Sequence, residues 1–300
     1  MSKPEIPFQS PVVPNMVDGS KVIQFQCRKG ISCWNQCCSN IDISLTPYDI
    51  LRLKRRLGIS STQFLDQYTV PYEMEKEGIA GVKFKPVEKG TACRFMQPEG
   101  CGVYEDRPTA CRYYPVGLLS MRKQDEYVDR DAYALVEEEH CKGHQEPRSI
   151  SIDDYRQEQG LPEYDDLARG WRQLVLKKKS SGPSVGNPSI KSRQMFFMAC
   201  YDIDTFRSFV TSDNFTKLFL ITDEEKATFA KTDLESEVAL MQFAFRFLRQ
   251  VLFGEMSITL QEDAAKERLE KVKQQRLKEE REAAEKLAQA EDNEAPLDDD

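Results

Sequence analysis

The residues with the clearest chemistry in this chain are its cysteines. Eight of the nine lie between residues 27 and 141, and the two histidines, His140 and His144, flank the last of them. Thiolate and imidazole suit zinc, copper(I) and iron–sulfur clusters, whereas calcium and magnesium take oxygen ligands. We therefore predict a metal site here. The candidate metal ligands are Cys27, Cys33, Cys37, Cys38, Cys93, Cys101, Cys111 and Cys141.

The spacing of these cysteines excludes several familiar sites. No Cys-x-x-Cys occurs, which excludes a zinc ribbon built from two such pairs and a thioredoxin-like redox motif. The ferredoxin cysteine runs are missing as well. The chain instead has Cys27-x5-Cys33-x3-Cys37-Cys38, then Cys93-x7-Cys101-x9-Cys111, then His140-Cys141-x2-His144. This pattern indicates one or two sites assembled from distant pieces of chain.

The adjacent pair of cysteines bears on the number of sites. Cys33 and Cys37 are four residues apart, so they share one face of a helical turn, whereas Cys38 points elsewhere. The pair therefore serves two different centres, or it supplies one ligand and one spare thiol.

Three arginines lie beside candidate ligands in the sequence, namely Arg94, Arg107 and Arg112. Four thiolates around zinc or a cluster leave a negative charge, which nearby donors and cations offset. We expect that role for these arginines, with ordinary surface ion pairing as the alternative. His140 and His144 are either ligands or proton-handling groups, or an exposed pair beside a ligand. Cys200, among methionines and phenylalanines, is expected to be a small core residue.

The composition is that of a chain able to bury a core, with 40% apolar residues among 300. The first twenty residues lack the basic and apolar regions of a secretory signal, and no apolar run is long enough to span a membrane. We therefore predict a cytoplasmic protein. In a reducing compartment, grouped cysteines favour metal binding over disulfides.

The net charge of −8 is concentrated at the C-terminus. Residues 261–300 hold eight basic and fourteen acidic residues, a net charge of −6, which leaves −2 for residues 1–260. That body has no basic stripe, so we predict no nucleic-acid partner and no membrane partner. The charged tail is rich in Glu, Lys and Arg, which is typical of a solvated helix, and a protein partner is expected to bind through it.

Residues that typically begin and end helices lie between the cysteine blocks. Thr46 is a suitable N-cap, Pro47 is favoured at the first helical position and Gly58 favours termination, which predicts a helix over 47–57. Ser60 then begins a second short helix. Short strands are expected near 82–84 and 117–121, in a segment rich in glycine and proline.

The second half of the chain has helical periodicity. Apolar residues recur at helical spacing over 164–179, and from 234 to 252 they step by four, three, four, three and four residues. Eleven of the sixteen phenylalanines lie within 191–253, which indicates a helical core. Residues 180–190 indicate a loop.

These patterns predict an α+β, mainly helical protein. It would have an irregular, metal-organised cysteine-rich lobe with short strands, a helical lobe and a long charged C-terminal helix. The predicted segments are 1–22, a flexible N-terminal arm; 23–148, the cysteine-cluster metal-binding domain; 149–256, the helical region; and 257–300, the charged helix with an acidic disordered end.

Two blocks of this sequence resemble the bacterial YkgJ-type cysteine-cluster family. They are CRKGISCWNQCCSNIDISLTPYDILRLKRRLGIS and, further along, ACRFMQPEGCGVYEDRPTACRYYPVG. The second block carries the family's Cys–Tyr–Arg-Pro–Cys-Arg–Pro series at Cys101, Tyr104, Arg107, Pro108, Cys111, Arg112 and Pro115. The resemblance implies a zinc- or iron-chelating domain, commonly with an iron–sulfur cluster.

The first block departs from that family, since five residues separate Cys27 from Cys33. This spacing resembles the flagellin lysine N-methylases, relatives that share the domain and use S-adenosylmethionine. No G-x-G-x-x-G motif for that cofactor occurs.

The sequence leaves three functions open. The first is a metal-binding protein with an iron–sulfur cluster, [4Fe–4S] by preference, in a redox, sensing or structural role. The second is a structural zinc module for protein interaction. The third is an enzyme similar to the lysine N-methyltransferases, so whether the chain is an enzyme stays open. The preferred ligands are those in the tightest motif blocks, Cys33, Cys37, Cys101 and Cys111.

Overall fold

A computed structural model describes residues 16–74, 78–121, 130–180, 188–266, 270, 273 and 274. Over these residues the fold is α+β and mainly helical, as predicted. No helix in the described part of the chain is both long and apolar enough to cross a membrane.

The strands and helices follow one another along the chain. The strands are β1 (Val22–Gln24), β2 (Thr69–Met74), β3 (Ile79–Phe84), β4 (Met96–Gln97), β5 (Gly100–Cys101), β6 (Val116–Met121), β7 (Arg130–Leu135) and β8 (Ser149–Ser151). The helices are α1 (Pro47–Leu57), α2 (Ser61–Tyr68), α3 (Thr109–Tyr113), α4 (Ile152–Glu158), α5 (Leu161–Ser180), α6 (Ile190–Tyr201), α7 (Ile203–Val210), α8 (Asp213–Leu218), α9 (Asp223–Phe229) and α10 (Leu234–Phe253). Short 3₁₀ helices cover Gln36–Cys38, Tyr104–Asp106 and Gly143–Gln145.

The strands pair as antiparallel two-stranded ladders: β1 with β8, β2 with β3, β4 with β5, and β6 with β7. The β1–β8 ladder places Val22 opposite Ser151 and Gln24 opposite Ser149. Because β1 precedes the first cysteine and β8 follows the last candidate, this ladder ties together the two ends of the cysteine-rich segment.

The helix that separates the cysteine blocks begins and ends where its capping residues predict. The Thr46 hydroxyl accepts a hydrogen bond from Asp49 N at 3.1 Å, and Asp49 Oδ2 accepts one from Thr46 N at 2.8 Å. Gly58 ends α1 with a φ of +65°, a conformation that glycine adopts without strain. The predicted bounds of α1, and the start of α2 after Ser60, are confirmed.

Most of the buried apolar side chains belong to one large core that draws on both halves of the chain. Tyr48 and Leu53 from α1 and Phe64 from α2 lie in the same cluster as Phe206 from α7 and Leu248 from α10. The phenylalanine-rich segment is confirmed as core, and Cys200 is buried in it. A smaller core consists of Ile23, Phe25, Tyr113, Val116, Tyr133, Ile152, Tyr155 and Leu161. The predicted boundary at 148/149 stays a prediction.

A buried ionic network joins α1 to α7 and α10. Lys54 Nζ lies 2.6 Å from Glu237 Oε1 and 3.0 Å from Asp204 Oδ1, and the side chains of Lys54 and Glu237 are 7% and 1% exposed. Arg207 Nη2 lies 2.8 Å from the same Glu237 oxygen, and Arg55 Nη1 lies 3.1 Å from the other. Such charges are tolerated in the interior because each has a partner.

The ends of the chain only partly coincide with the predicted segments. In the N-terminal arm, Val17 N and O bond to Tyr133 O and N at 2.9 and 2.8 Å, and residues 1–15 lie outside the described range. At the other end, Ile258 is buried, and Gln261 N donates to Leu218 O at 2.9 Å. The predicted C-terminal helix and acidic end fall largely outside the described residues, as does most of the loop at 180–190.

Candidate metal centre

The first block of cysteines lies on a chain of tight turns after β1. Gln36 N donates to Cys33 O, and Cys38 N donates to Asn35 O, each at 3.0 Å. Asn35 starts the 3₁₀ helix with a φ of +65°, which asparagine tolerates better than most residues. These turns bring the side chains of Cys33 and Cys37 into the lining of one cavity, which Cys38 does not line.

That cavity has a volume of about 40 Å³ and is lined by cysteines from two distant parts of the sequence. We call the four the cavity cysteines: Cys27, Cys33, Cys37 and Cys141. The segment around Cys141 is held in place by backbone contacts, since Gln26 N donates to Gly143 O at 3.1 Å. Lys142 N donates to the sulfur of Cys33 at 3.2 Å. Asn35, Tyr114 and His140 are the other polar side chains of the lining.

The other four candidates form what we call the second cysteine group: Cys38, Cys93, Cys101 and Cys111. Cys93 N donates to Cys38 O at 2.8 Å. The β4–β5 ladder places Cys101 opposite Met96, whose N donates to Cys93 O at 3.1 Å. Cys111 lies on α3, and its thiol is close enough to those of Cys93 and Cys101 for their charges to interact.

The preferred ligands divide between these two groups. Cys33 and Cys37 line the cavity, whereas Cys101 and Cys111 belong to the second cysteine group. Cys37 connects the two groups electrostatically, because its charge raises the pKa of both Cys101 and Cys111.

A buried carboxylate fixes the position of Cys111. Asp49 on α1 is 0% exposed, and its Oδ1 accepts hydrogen bonds from Thr109 N at 2.8 Å and from Thr109 Oγ1 at 2.7 Å. Thr109 is the first residue of α3, so α1 holds the helix that carries Cys111. Reasoning from the sequence missed this role of Asp49. Its place in the capping box was readable, but its contact with a residue sixty positions away was not.

Burial makes several of the candidate thiols resist ionisation. Burial, with the charges of neighbouring thiolates, raises the pKa of Cys27 to about 11. Burial likewise raises the pKa values of Cys93, Cys101 and Cys111. Metal binding at these sulfurs must therefore displace protons.

Cys37 is a candidate ligand whose pKa is lowered instead of raised. Cys38 donates a hydrogen bond to Cys37, which lowers the pKa of Cys37 to about 7 and raises the pKa of Cys38. The Cys37 side chain is exposed. An exposed thiol with a pKa near neutrality is a reactive thiolate at physiological pH.

Arg107 is the arginine whose charge reaches both groups. Its positive charge opposes the rise in the pKa values of Cys27 and Cys101. The guanidinium stacks on the ring of Tyr104 at 3.9 Å and donates to Gln159 Oε1 at 2.6 Å. The predicted charge-offsetting role fits Arg107 on these contacts.

Arg94 and Arg112 bind main-chain oxygens instead. Arg94 Nε donates to Pro86 O at 3.0 Å. Arg112 is buried and donates to Arg107 O at 3.0 Å and to Gln159 O at 2.7 Å. The charge-offsetting role and the alternative of surface ion pairing both stay predictions for these two arginines.

The two histidines have different surroundings. His140 lines the cavity, and its Nε2 lies 3.5 Å from Glu138 Oε2. The ring of His144 packs on Phe25 with centroids 5.2 Å apart, and its Nε2 lies 3.2 Å from Val136 O. Of the two, His140 is placed to take part in chemistry at the cavity.

The donor set, which consists mainly of thiols, fits a soft metal. Among the described residues, no group of three or more His, Cys, Asp or Glu side chains forms a ready-made metal site. Two buried polar atoms beside the cysteines have no hydrogen bond of good geometry, namely Trp34 Nε1 and Tyr114 Oη. Buried donors are normally paired, so their position here fits a group with acceptor sulfurs.

One of the comparisons with known proteins gives a match for the cysteine-rich segment. Residues 26–142 match the CxxCxxCC family model, described as a "putative zinc- or iron-chelating domain". The match includes all eight candidate cysteines and supports a metal-binding role for this segment. No curated protein and no solved structure matches the chain.

Proposed function

We propose that residues 26–142 bind a metal centre through cysteine thiolates and that the resident group is an iron–sulfur cluster, [4Fe–4S] by preference. The observation that carries the proposal is the cavity shared by Cys27, Cys33, Cys37 and Cys141. Four thiolates are the ligand number that such a cluster takes.

The surroundings of the cavity favour a redox or sensing role over a purely structural one. Cys27 and Cys37 are exposed, so a centre bound there would meet solvent and small oxidants. Solvent exposure, nearby charge and hydrogen bonds to sulfur are the features that set the potential of a cluster. Arg107 supplies the nearby positive charge.

The test is anaerobic purification followed by measurement of iron, acid-labile sulfide and visible absorption. We expect iron and sulfide in matching amounts and a broad visible band. Cys27→Ala should reduce both, whereas Cys200→Ala should leave both unchanged, because Cys200 lies in the large core. Colourless protein without iron, also after reconstitution with iron and sulfide, would rule out the cluster.

Zinc is the second candidate, and the thiol donor set favours it as well. A zinc ion takes four thiolates, the number of cysteines that line the cavity. Stoichiometric zinc in colourless protein, with loss of folded structure on chelation, would establish this alternative.

An enzymatic activity similar to that of the lysine N-methylases stays a prediction. The sequence has no G-x-G-x-x-G motif that would support binding of S-adenosylmethionine. Calorimetric titration of the metal-loaded protein with S-adenosylmethionine tests this function: saturable heat would support it, and its absence would remove it.

A further inference from the structure

Tyr114 is a polar residue at the cavity that the sequence did not single out. It directly follows α3 and lines the cavity together with Cys27, Cys33, Cys37 and Cys141. Its ring packs edge-on against Phe25 with centroids 6.3 Å apart, and its carbonyl accepts a hydrogen bond from the Tyr155 hydroxyl. The ring contact and the main-chain hydrogen bond fix Tyr114 at the wall of the cavity.

The hydroxyl of Tyr114 faces two acceptors, a sulfur and a carboxylate. It is buried, and within the described residues it makes no hydrogen bond of good geometry. It nevertheless lies close to the Cys141 thiol and the Glu138 carboxylate. A buried hydroxyl needs an acceptor, so the Cys141 sulfur and the Glu138 carboxylate compete for this donor.

Metal binding would strengthen the sulfur as an acceptor. A protonated thiol is a weak acceptor, whereas a metal-bound thiolate carries negative charge and accepts charge-assisted hydrogen bonds. Resting on the function proposed above, we infer that the Tyr114 hydroxyl donates a hydrogen bond to the sulfur of Cys141 when the cavity cysteines hold a metal. Tyr114 is then a positioning residue of the centre.

This hydrogen bond would connect two distant parts of the domain. Cys141 comes from the far end of the domain, and Tyr114 is fixed to α3. The bond would therefore orient the distant ligand. In an iron–sulfur cluster it would also stabilise the more negative reduced form, so its loss should lower the reduction potential.

The experiment compares Tyr114→Phe with Tyr113→Phe. The first removes the hydroxyl at the cavity, and the second removes a neighbouring hydroxyl that donates to Asp165 at 2.6 Å in the smaller core. Both variants and the unaltered protein are titrated with cadmium against a competing chelator. We expect about 10- to 100-fold weaker binding for Tyr114→Phe. Tyr113→Phe should bind as the unaltered protein does, although its thermal stability should fall.

Two results would overturn the inference while the proposed function stands. One is cadmium binding by Tyr114→Phe within about twofold of the unaltered protein, and the other is an equal loss in both variants, which indicates a structural role. Failure of the unaltered protein to bind any metal would instead contradict the proposed function.

A measurement on the unaltered protein makes the test independent of how the variant folds. Loading with an NMR-active cadmium isotope allows coupling between the metal and a proton hydrogen-bonded to its ligand sulfur. We expect such coupling to the Tyr114 hydroxyl proton, and we expect it to persist in Glu138→Gln. A hydroxyl proton bonded to Glu138 in the loaded protein would refute the inference.

Discussion

At the scale of single residues, the candidate ligands combine resistance to ionisation with one reactive thiol. Burial raises the pKa values of Cys27, Cys93 and Cys101, so these thiols keep their protons at neutral pH. Cys37 has a pKa of about 7 because Cys38 donates a hydrogen bond to it. Of these thiols, Cys37 is therefore the first that is available to a metal as a thiolate.

The raised thiol pKa values predict that metal affinity increases with pH. Each ligand that is protonated before binding must release a proton, so affinity rises by about tenfold per pH unit for each proton released. Chelator competition with cadmium between about pH 6 and about pH 8 should show this rise, and Cys27→Ala should make it less steep. Cys200→Ala is the control that should leave the slope unchanged. An affinity independent of pH would contradict the prediction.

The lowered pKa of Cys37 predicts selective alkylation of the metal-free protein. Iodoacetamide should modify Cys37 before the other cysteines, with the rate at half its maximum near pH 7, and bound metal should protect it. In Cys38→Ala the donor is lost, so the pKa of Cys37 should rise and its alkylation at neutral pH should slow. Peptide mass spectrometry measures both. Unchanged alkylation in Cys38→Ala would show that Cys38 does not control this thiol.

At the scale of secondary-structure elements, α1 connects the metal centre to the helices of the second half. One side of it fixes α3 and Cys111 through Asp49, and another presents Lys54 to Glu237 on α10. The helix bounds follow from local capping, but the bonds that give α1 this role run to distant parts of the chain.

The ionic network predicts a large effect for a single substitution on α10. Glu237→Ala leaves Lys54 buried with one carboxylate partner fewer, so the free energy of unfolding should fall by about 3–5 kcal/mol. Glu235→Ala, on an exposed position of the same helix, should stay within about 0.5 kcal/mol. Urea denaturation followed by circular dichroism measures both. Similar losses in the two variants would assign the effect to helix α10 itself instead of the network.

At the scale of the whole molecule, the cysteine-rich segment and the helices are joined by one apolar core. Tyr48 and Phe64 from the first half pack in the same cluster as Phe206 and Leu248 from the second. The core continues to Ile258, so the start of the predicted charged tail is part of the folded body. We propose that the remaining tail binds a protein partner.

Two truncations distinguish a tail that binds a protein partner from a tail that stabilises the fold. Deleting 267–300 should leave the free energy of unfolding within about 0.5 kcal/mol and should abolish the capture of a co-purifying protein. Deleting 258–300 should also destabilise the fold, because it removes Ile258 and the contacts of Gln261 with Leu218. Thermal denaturation and affinity purification provide the readouts. Retention of every co-purifying protein by the shorter deletion would refute the docking role.

The sequence by itself determined the features that depend on neighbouring residues. Thr46, Pro47 and Gly58 define α1 because an N-cap, a first-turn proline and a terminating glycine act within a few positions of themselves. The spacing of apolar residues likewise located α10. The grouping of the cysteines indicated metal chemistry, and the family match supports that role.

Only the tertiary structure decided which of these residues lie close together. It places Cys141 beside Cys27 and Cys33, and it sets Cys101 and Cys111 apart from the cavity that Cys33 and Cys37 line. This proximity of distant residues follows from the β1–β8 ladder and the shared core, whose contacts join residues more than a hundred positions apart. Local sequence patterns carry no information about pairing at that distance, because the free energy that selects it comes from burial of the whole chain.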